Sequence, residues 1–151
     1  MRVITLGDLH GQHRKIKVPE CDLLCCVGDY GAGRTSVVHL AKVPSDVHIL
    51  LTHGPAYGYM DLIPQEYAQP GEDLHKGCKK TLEVIHKRLK KLKLFAFGHI
   101  HNAEMPSRSG SDNYGVRMVK VTNTRSVLFS NAACVDNSYN IVNPMPLIID
   151  L

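Results

Sequence analysis

The sequence predicts an α/β domain on a mixed, layered sheet, and three observations carry that expectation. Short apolar runs ending at glycine recur at 2–7, 22–28 and 92–98, as suits strands buried on both faces. One long stretch at 75–92 places its apolar residues on a single helical face. Two apolar runs near the C-terminus are joined by a polar tetrapeptide, which reads as an antiparallel pair. Buried strands alternating with helix, followed by a hairpin, make a mixed sheet in layers.

The elements follow in order. RVITLG (2–7) and DLLCCVG (22–28) are the first two strands, and TSVVHLAKV (35–43) reads as a short helix. VHILLTH (47–53) is a third strand, and AYGYMDLIPQEYAQPGED (56–73) is a loop rich in Gly, Pro and Tyr. In HKGCKKTLEVIHKRLKKL (75–92), Cys78, Leu82, Ile85, Leu89 and Leu92 step by four, three, four and three, which is one face of a helix. LKLFAFG (92–98) is the next strand and PSRSGSDNYG (106–115) a polar loop. GVRMVKV (115–121) and SVLFSN (126–131) pair across the turn TNTR (122–125), and PLIIDL (146–151) is a final strand. There is no internal repeat and no low-complexity tract.

With 151 residues the chain is expected to form one domain, 1–151. A 44% hydrophobic and 21% charged composition is that of an ordinary globular protein rather than a disordered one. No apolar run approaches a membrane span, so no membrane partner is expected. MRVITLGD has neither the apolar stretch nor the cleavage site of a signal peptide. The five cysteines include no C-x-x-C pair, so they read as buried free thiols in a reducing cytoplasm. Net charge is only +4. The lysines along 75–92 lack interleaved aromatics and form the solvent side of an amphipathic helix, so nucleic acid is not the favoured partner.

The chemistry lies where strands end. The first ends in GDLH (7–10), the second in GDYG (28–31), the third in THGP (52–55) and the fourth in GHIH (98–101). Each puts Asp or His just past a buried strand, and sites in open α/β sheets form at the carboxyl ends of strands. In extended chain, residues i and i+2 share a face, which pairs Asp8 with His10 and His99 with His101. Gly7, Gly28 and Gly98 allow close backbone approach. Asp8, His10, Asp29, His53, His99 and His101 form a mixed oxygen and nitrogen donor set, suited to Mn, Fe, Zn, Co or Ni. Two such ions about 3.5–4 Å apart use the set better than one. They would share a carboxylate, make a bridging hydroxide and clamp a phosphoryl group for in-line attack.

D-x-H, then G-D, then His-Gly, then G-H-x-H, in that order, resembles the calcineurin-like metallophosphoesterases over nearly the whole chain. DLHGQHRKIKVPECDLLCCVGDY, LLTHGPAYGYMD, FAFGHIHNAE and SNAACVDNSYNIVNPMPLIIDL look closest to the branch of small metallophosphoesterase-domain proteins. The resemblance implies a β-sandwich of mixed sheets flanked by helices, a metallo-dependent phosphatase-like fold with two divalent ions. By matching position, Asp8, His10 and His101 would hold the first metal, His53 and His99 the second, and Asp29 would bridge them. Hydroxide between the metals would attack phosphorus, and the substrate class implied is a small phosphodiester, a nucleotide or a cyclic nucleotide.

One departure is plain. The family's G-N-H motif, which supplies an Asn ligand to the second metal and a His that assists the leaving group, is absent. The short interval between Asp29 and His53 contains no asparagine at all. The fold is therefore expected to be shortened, and the second metal weaker, more open or completed by water. Loss of the His proton donor would cost a factor of about 10²–10⁴ in rate. His13 and Arg14, after the first strand, could reach a substrate phosphate or be solvated loop residues. Asn131 matches a family position near the site, and could contact metal or substrate or cap backbone. His39, His48, His75 and His86 read as surface or packing residues. Tyr57, Tyr59 and Tyr67 either pack their loop or offer a ring to a base. An alternative reading is a catalytically weak scaffold of the same fold that binds a protein partner, and a third is a nuclease. An exposed sheet edge would favour a homodimer.

Overall fold

The structure is a computed structural model that describes residues 1–28, 43–101, 115–136, 138–141 and 147–151. Asp29, His39, the expected helix at 35–43 up to residue 42, and the polar loop at 106–115 up to residue 114 lie outside those residues, as does the side chain of His13.

The strands are β1 (Arg2–Gly7), β2 (Leu23–Val27), β3 (Ile49–Leu51), β4 (Leu94–Phe97), β5 (Gly115–Thr122), β6 (Arg125–Asn131) and β7 (Leu147–Asp150). Helix α1 covers Lys79–Lys87, and 3₁₀ turns occupy His13–Lys15 and Gln65–Tyr67. They form two sheets, in the orders β2-β1-β7 and β3-β4-β6-β5. Both are mixed. β1 runs parallel to β2 and antiparallel to β7, while β4 runs parallel to β3 and β6 and β5 pairs antiparallel with β6.

The sheets face each other, and strand alternation builds the layers. Val3, Val27 and Ile149 of the first sheet pack against Leu94 and Ala96 of the second. Thr5 and Ser130, both fully buried, share a hydroxyl–hydroxyl hydrogen bond of 2.9 Å across that interface. The alternate residues of β4, Phe95 and Phe97, point the other way and join Phe129, Val84 and Ile85 beneath α1. β4 is thus covered on both faces, which is why its sequence is an unbroken apolar run. Ile4, Leu6, Leu9 and Cys134 form a third cluster. The expected sandwich with flanking helix is observed.

The helix is shorter than its periodicity suggests. Residues 75–78 are drawn into extended pairing with the preceding loop, through bridges Leu62↔His75 and Ala56↔Cys78. Cys78 then caps α1, its Sγ accepting from the Thr81 N–H at 3.4 Å. At the other end Leu89 N–H reaches back to Val84 O and the regular spacing stops. Leu89 and Leu92 remain buried, but from the turn after the helix. The Arg125 guanidinium donates to the Ile85 and Leu89 carbonyls at 2.7 and 3.0 Å, satisfying the orphan acceptors of the helix end. His75 accordingly precedes the helix rather than lying on it.

All five cysteines are free. The expectation of burial holds for Cys25 and Cys134, but Cys26 and Cys78 are exposed, one on the outer side of β2 and one at the helix cap. No described helix is long and apolar enough to cross a membrane.

Candidate metal centre

β1, β2 and β4 converge at their carboxyl ends on one side chain. Asp8 follows β1 and is fully buried. A Cβ placed on Gly28 would stand 2.1 Å from Asp8 Oδ1, and one placed on Gly98 would stand 2.0 Å from Oδ2. No other residue type fits at either strand end, because the carboxylate occupies the space. The main-chain N–H of His99 donates to Asp8 Oδ2 at 2.6 Å. A buried carboxylate is costly unless hydrogen-bonded or paired with positive charge.

Asp8, His10 and His101 can each offer one ligand atom, all within 4.8 Å of one another. His101 Nε2 lies 3.9 Å from Asp8 Oδ1, with the His101 side chain 12% exposed. Beside this cluster His53 and His99 form a second pair, their ring centroids 4.5 Å apart. His10 Nε2 and His53 Nδ1 are buried without a hydrogen-bond partner among the described residues. Unpaired ring nitrogens beside a buried anion are what a divalent transition ion would satisfy, so the residues present fit such an ion.

The backbone here is unusual. Asp8, His10 and His99 have φ values of 50, 45 and 71°. Left-handed backbone costs a non-glycine residue about 1–3 kcal/mol and persists where surrounding structure enforces it. It also corrects the simple alternation expected past the strands. Asp8 and His10 do meet, but through two left-handed residues rather than extended chain. His99 and His101 part company, His101 joining Asp8 and His10 while His99 turns to His53.

Asn131, at the end of β6, is fully buried. Its Nδ2 donates to Ile100 O and its Oδ1 accepts from Ala133 N–H, both at 3.1 Å. Of the two uses held open for it, the structure shows the backbone one: Asn131 clamps the segment that carries His99 and His101.

Tyr139 was not singled out as a site residue in the sequence, yet its ring packs edge-on against His10 at 4.6 Å and His101 at 5.7 Å between centroids. It has φ of 63° and its carbonyl accepts from Gln12 Nε2 at 2.7 Å. The buried Asp136 carboxylate presents it, accepting from Ser138 and Asn140 N–H at 2.9 and 2.8 Å. The sequence signal was the Asp-containing turn, since Asp accepts from the backbone two residues on.

The other candidates among the described residues fall outside the cluster. Arg14 is exposed on its 3₁₀ turn, and His48 is exposed where β3 begins. His75 Nδ1 lies 2.6 Å from the buried Asp61 Oδ1, a packing role as expected. Tyr59 packs on Phe129, and Tyr57 donates to Asp73 at 2.7 Å, which raises the phenol and lowers the carboxyl. Lys80 and Lys87 pair with Glu83 on the helix surface, in keeping with a solvated face.

No family model matches the chain. Metallophosphoesterase domain-containing protein 1 of human and that of mouse are each 34% identical to it over 109 residues, covering 72% of this chain. The chain spans about a quarter of the length of these curated relatives, 26% in each alignment. That identity over most of a chain whose Asp and His gather at strand ends supports a metallophosphoesterase-domain protein.

Proposed function

We propose that the chain is a metal-dependent phosphoesterase whose substrate is a small phosphodiester, a nucleotide or cyclic nucleotide. The observation that carries this reading is the gathering of Asp8, His10 and His101 within 4.8 Å beside the His53–His99 pair. Asp8 supplies the negative charge and His10 and His101 the nitrogen donors for one ion. His53 and His99 would hold a second, and Asp29, placed by sequence after β2, would be shared between them. Divalent ions bound there supply Lewis-acid charge to a phosphoryl oxygen during in-line displacement. The chain's own part is to hold its donors rigid, through the Asn131 clamp and the glycines around Asp8, so that little reorganisation accompanies reaction. The free cysteines support a cytoplasmic location.

The missing G-N-H motif favours one second reading, a scaffold of the same fold. Hydrolysis of bis(4-nitrophenyl) phosphate separates the two. With Mn²⁺ the parent turns over, EDTA abolishes it, and Asp29→Asn loses about 10²-fold or more. Metal binding without turnover in Mn²⁺, Zn²⁺, Co²⁺ and Ni²⁺ alike rejects catalysis and leaves the scaffold.

A further inference from the structure

In-line displacement at phosphorus leaves negative charge on the departing oxygen, and a fixed cation aimed at that oxygen lowers the barrier. The donors gathered at the strand ends are one carboxylate and four imidazoles, none of them a permanent cation. Other polar candidates among the described residues are engaged elsewhere. Asn131 gives both ends of its amide to backbone, and His75 is bound to the buried Asp61.

A cavity of about 450 Å³ opens against His99 and His101, and its other walls include Ile63, Pro64, Tyr67 and Lys76. Among the described residues Lys76 is the one lysine or arginine that lines it. Its backbone is held in place, with its N–H donating to the Asp61 carbonyl at 3.0 Å. The fully buried Asp61 carboxylate grips both neighbours, accepting from Gly77 N–H at 2.9 Å through Oδ2 and meeting His75 through Oδ1. The Lys76 side chain is only 26% exposed, and its ammonium pairs with Glu72. Glu72 is itself tied down, accepting from Gln69 N–H at 2.9 Å. An ammonium has three donors, of which Glu72 takes one. The result is a positioned cation in the same cavity as two proposed metal ligands.

We infer that Lys76 is a catalytic residue of the proposed phosphoesterase, its ammonium meeting the oxygen that departs from phosphorus. The inference rests on the phosphoesterase reading and adds to it a residue outside the metal-ligand set. Hydroxide derived from water forms the new P–O bond, the ester P–O bond breaks, and the departing oxygen leaves with the bonding pair. Lys76 keeps its proton and offsets the charge on that oxygen, which then takes a proton from solvent water.

Two diesters test it with Mn²⁺ present. Diphenyl phosphate and bis(4-nitrophenyl) phosphate share the phosphoryl group and differ in the departing oxygen, and phenoxide needs the more stabilisation. Lys76→Met lowers kcat about 10²-fold or more on the phenyl ester and much less on the nitrophenyl ester, while Lys76→Arg restores most of the loss. Thermal melts and Mn²⁺ titrations of both variants match the parent, because Lys76 lies outside the Asp8–His10–His101 cluster. Equal losses on the two esters, or none, overturn the inference. Calorimetry of inorganic phosphate with Mn²⁺ present reads the same contact without turnover. Lys76→Met weakens phosphate about tenfold, and an unchanged affinity also overturns the inference. If neither ester turns over in the parent, the proposed function fails, and the phosphate isotherms still decide whether Lys76 faces the phosphoryl site.

Discussion

The main-chain N–H of His99 donates to Asp8 Oδ2 at 2.6 Å, bridging residues 91 positions apart. It ties the end of β1 to the end of β4 and couples the two halves of the site. The same oxygen faces Gly98, where a Cβ would stand 2.0 Å away.

Gly98→Ala therefore forces the strand end and the carboxylate apart. We expect a loss of about 1–3 kcal/mol in stability, typical of overpacking, with a weaker Mn²⁺ isotherm. A melting temperature and an isotherm equal to the parent's would show that the close approach has no consequence.

Asn131→Ala strips the partners from Ile100 O and Ala133 N–H in a buried setting. Each orphaned group costs about 1–3 kcal/mol. Urea unfolding checks the cost. Metal affinity should fall as well, because the His99–His101 segment loses its clamp.

Tyr139→Leu keeps bulk but removes the ring that packs on His10 and His101. Mn²⁺ affinity is expected to drop about tenfold, as for partners that orient metal ligands, with the fold intact by circular dichroism. Unchanged affinity would reduce Tyr139 to a surface ring.

The thiols should alkylate in order. Burial pushes Cys78 up, but hydrogen bonds from the Thr81 side chain and from the Thr81 and Lys80 N–H groups outweigh it and leave its pKa below the ordinary value. Burial raises Cys25, with the neighbouring Cys26 and Cys21 adding to it, and burial raises Cys26 and Cys134 too. A lowered pKa means more thiolate at a given pH, so Cys78 reacts with iodoacetamide ahead of Cys25, Cys26 and Cys134 as pH is raised. Mass spectrometry of partially labelled protein reads the order.

Much of this was legible in the sequence. Apolar runs ending at Gly7 and Gly98 marked buried strands, and the ordered Asp and His after them marked the strand ends that carry the site. The run ending at Gly28 instead forms the end strand of its sheet, with Leu23, Leu24 and Cys26 exposed. The course of the chain past the strands was not legible. Period-two alternation holds only in extended backbone, and Asp8, His10 and His99 are left-handed. The helix was overestimated for a related reason. Periodicity reports which residues are buried, and Leu89 and Leu92 are buried without being helical. Tyr139 escaped because its role depends on a turn folding back from residues distant in the chain.

The most direct test of the central claim is Mn²⁺ calorimetry on the parent and on Asp8→Asn. Asp8 is the one carboxylate in the Asp8–His10–His101 cluster, and the substitution replaces it at constant shape. The account predicts saturable binding by the parent and a loss of about 100-fold or more in the variant, at least the upper end of what an outer partner costs. Equal binding by both proteins would place the metal elsewhere and contradict it.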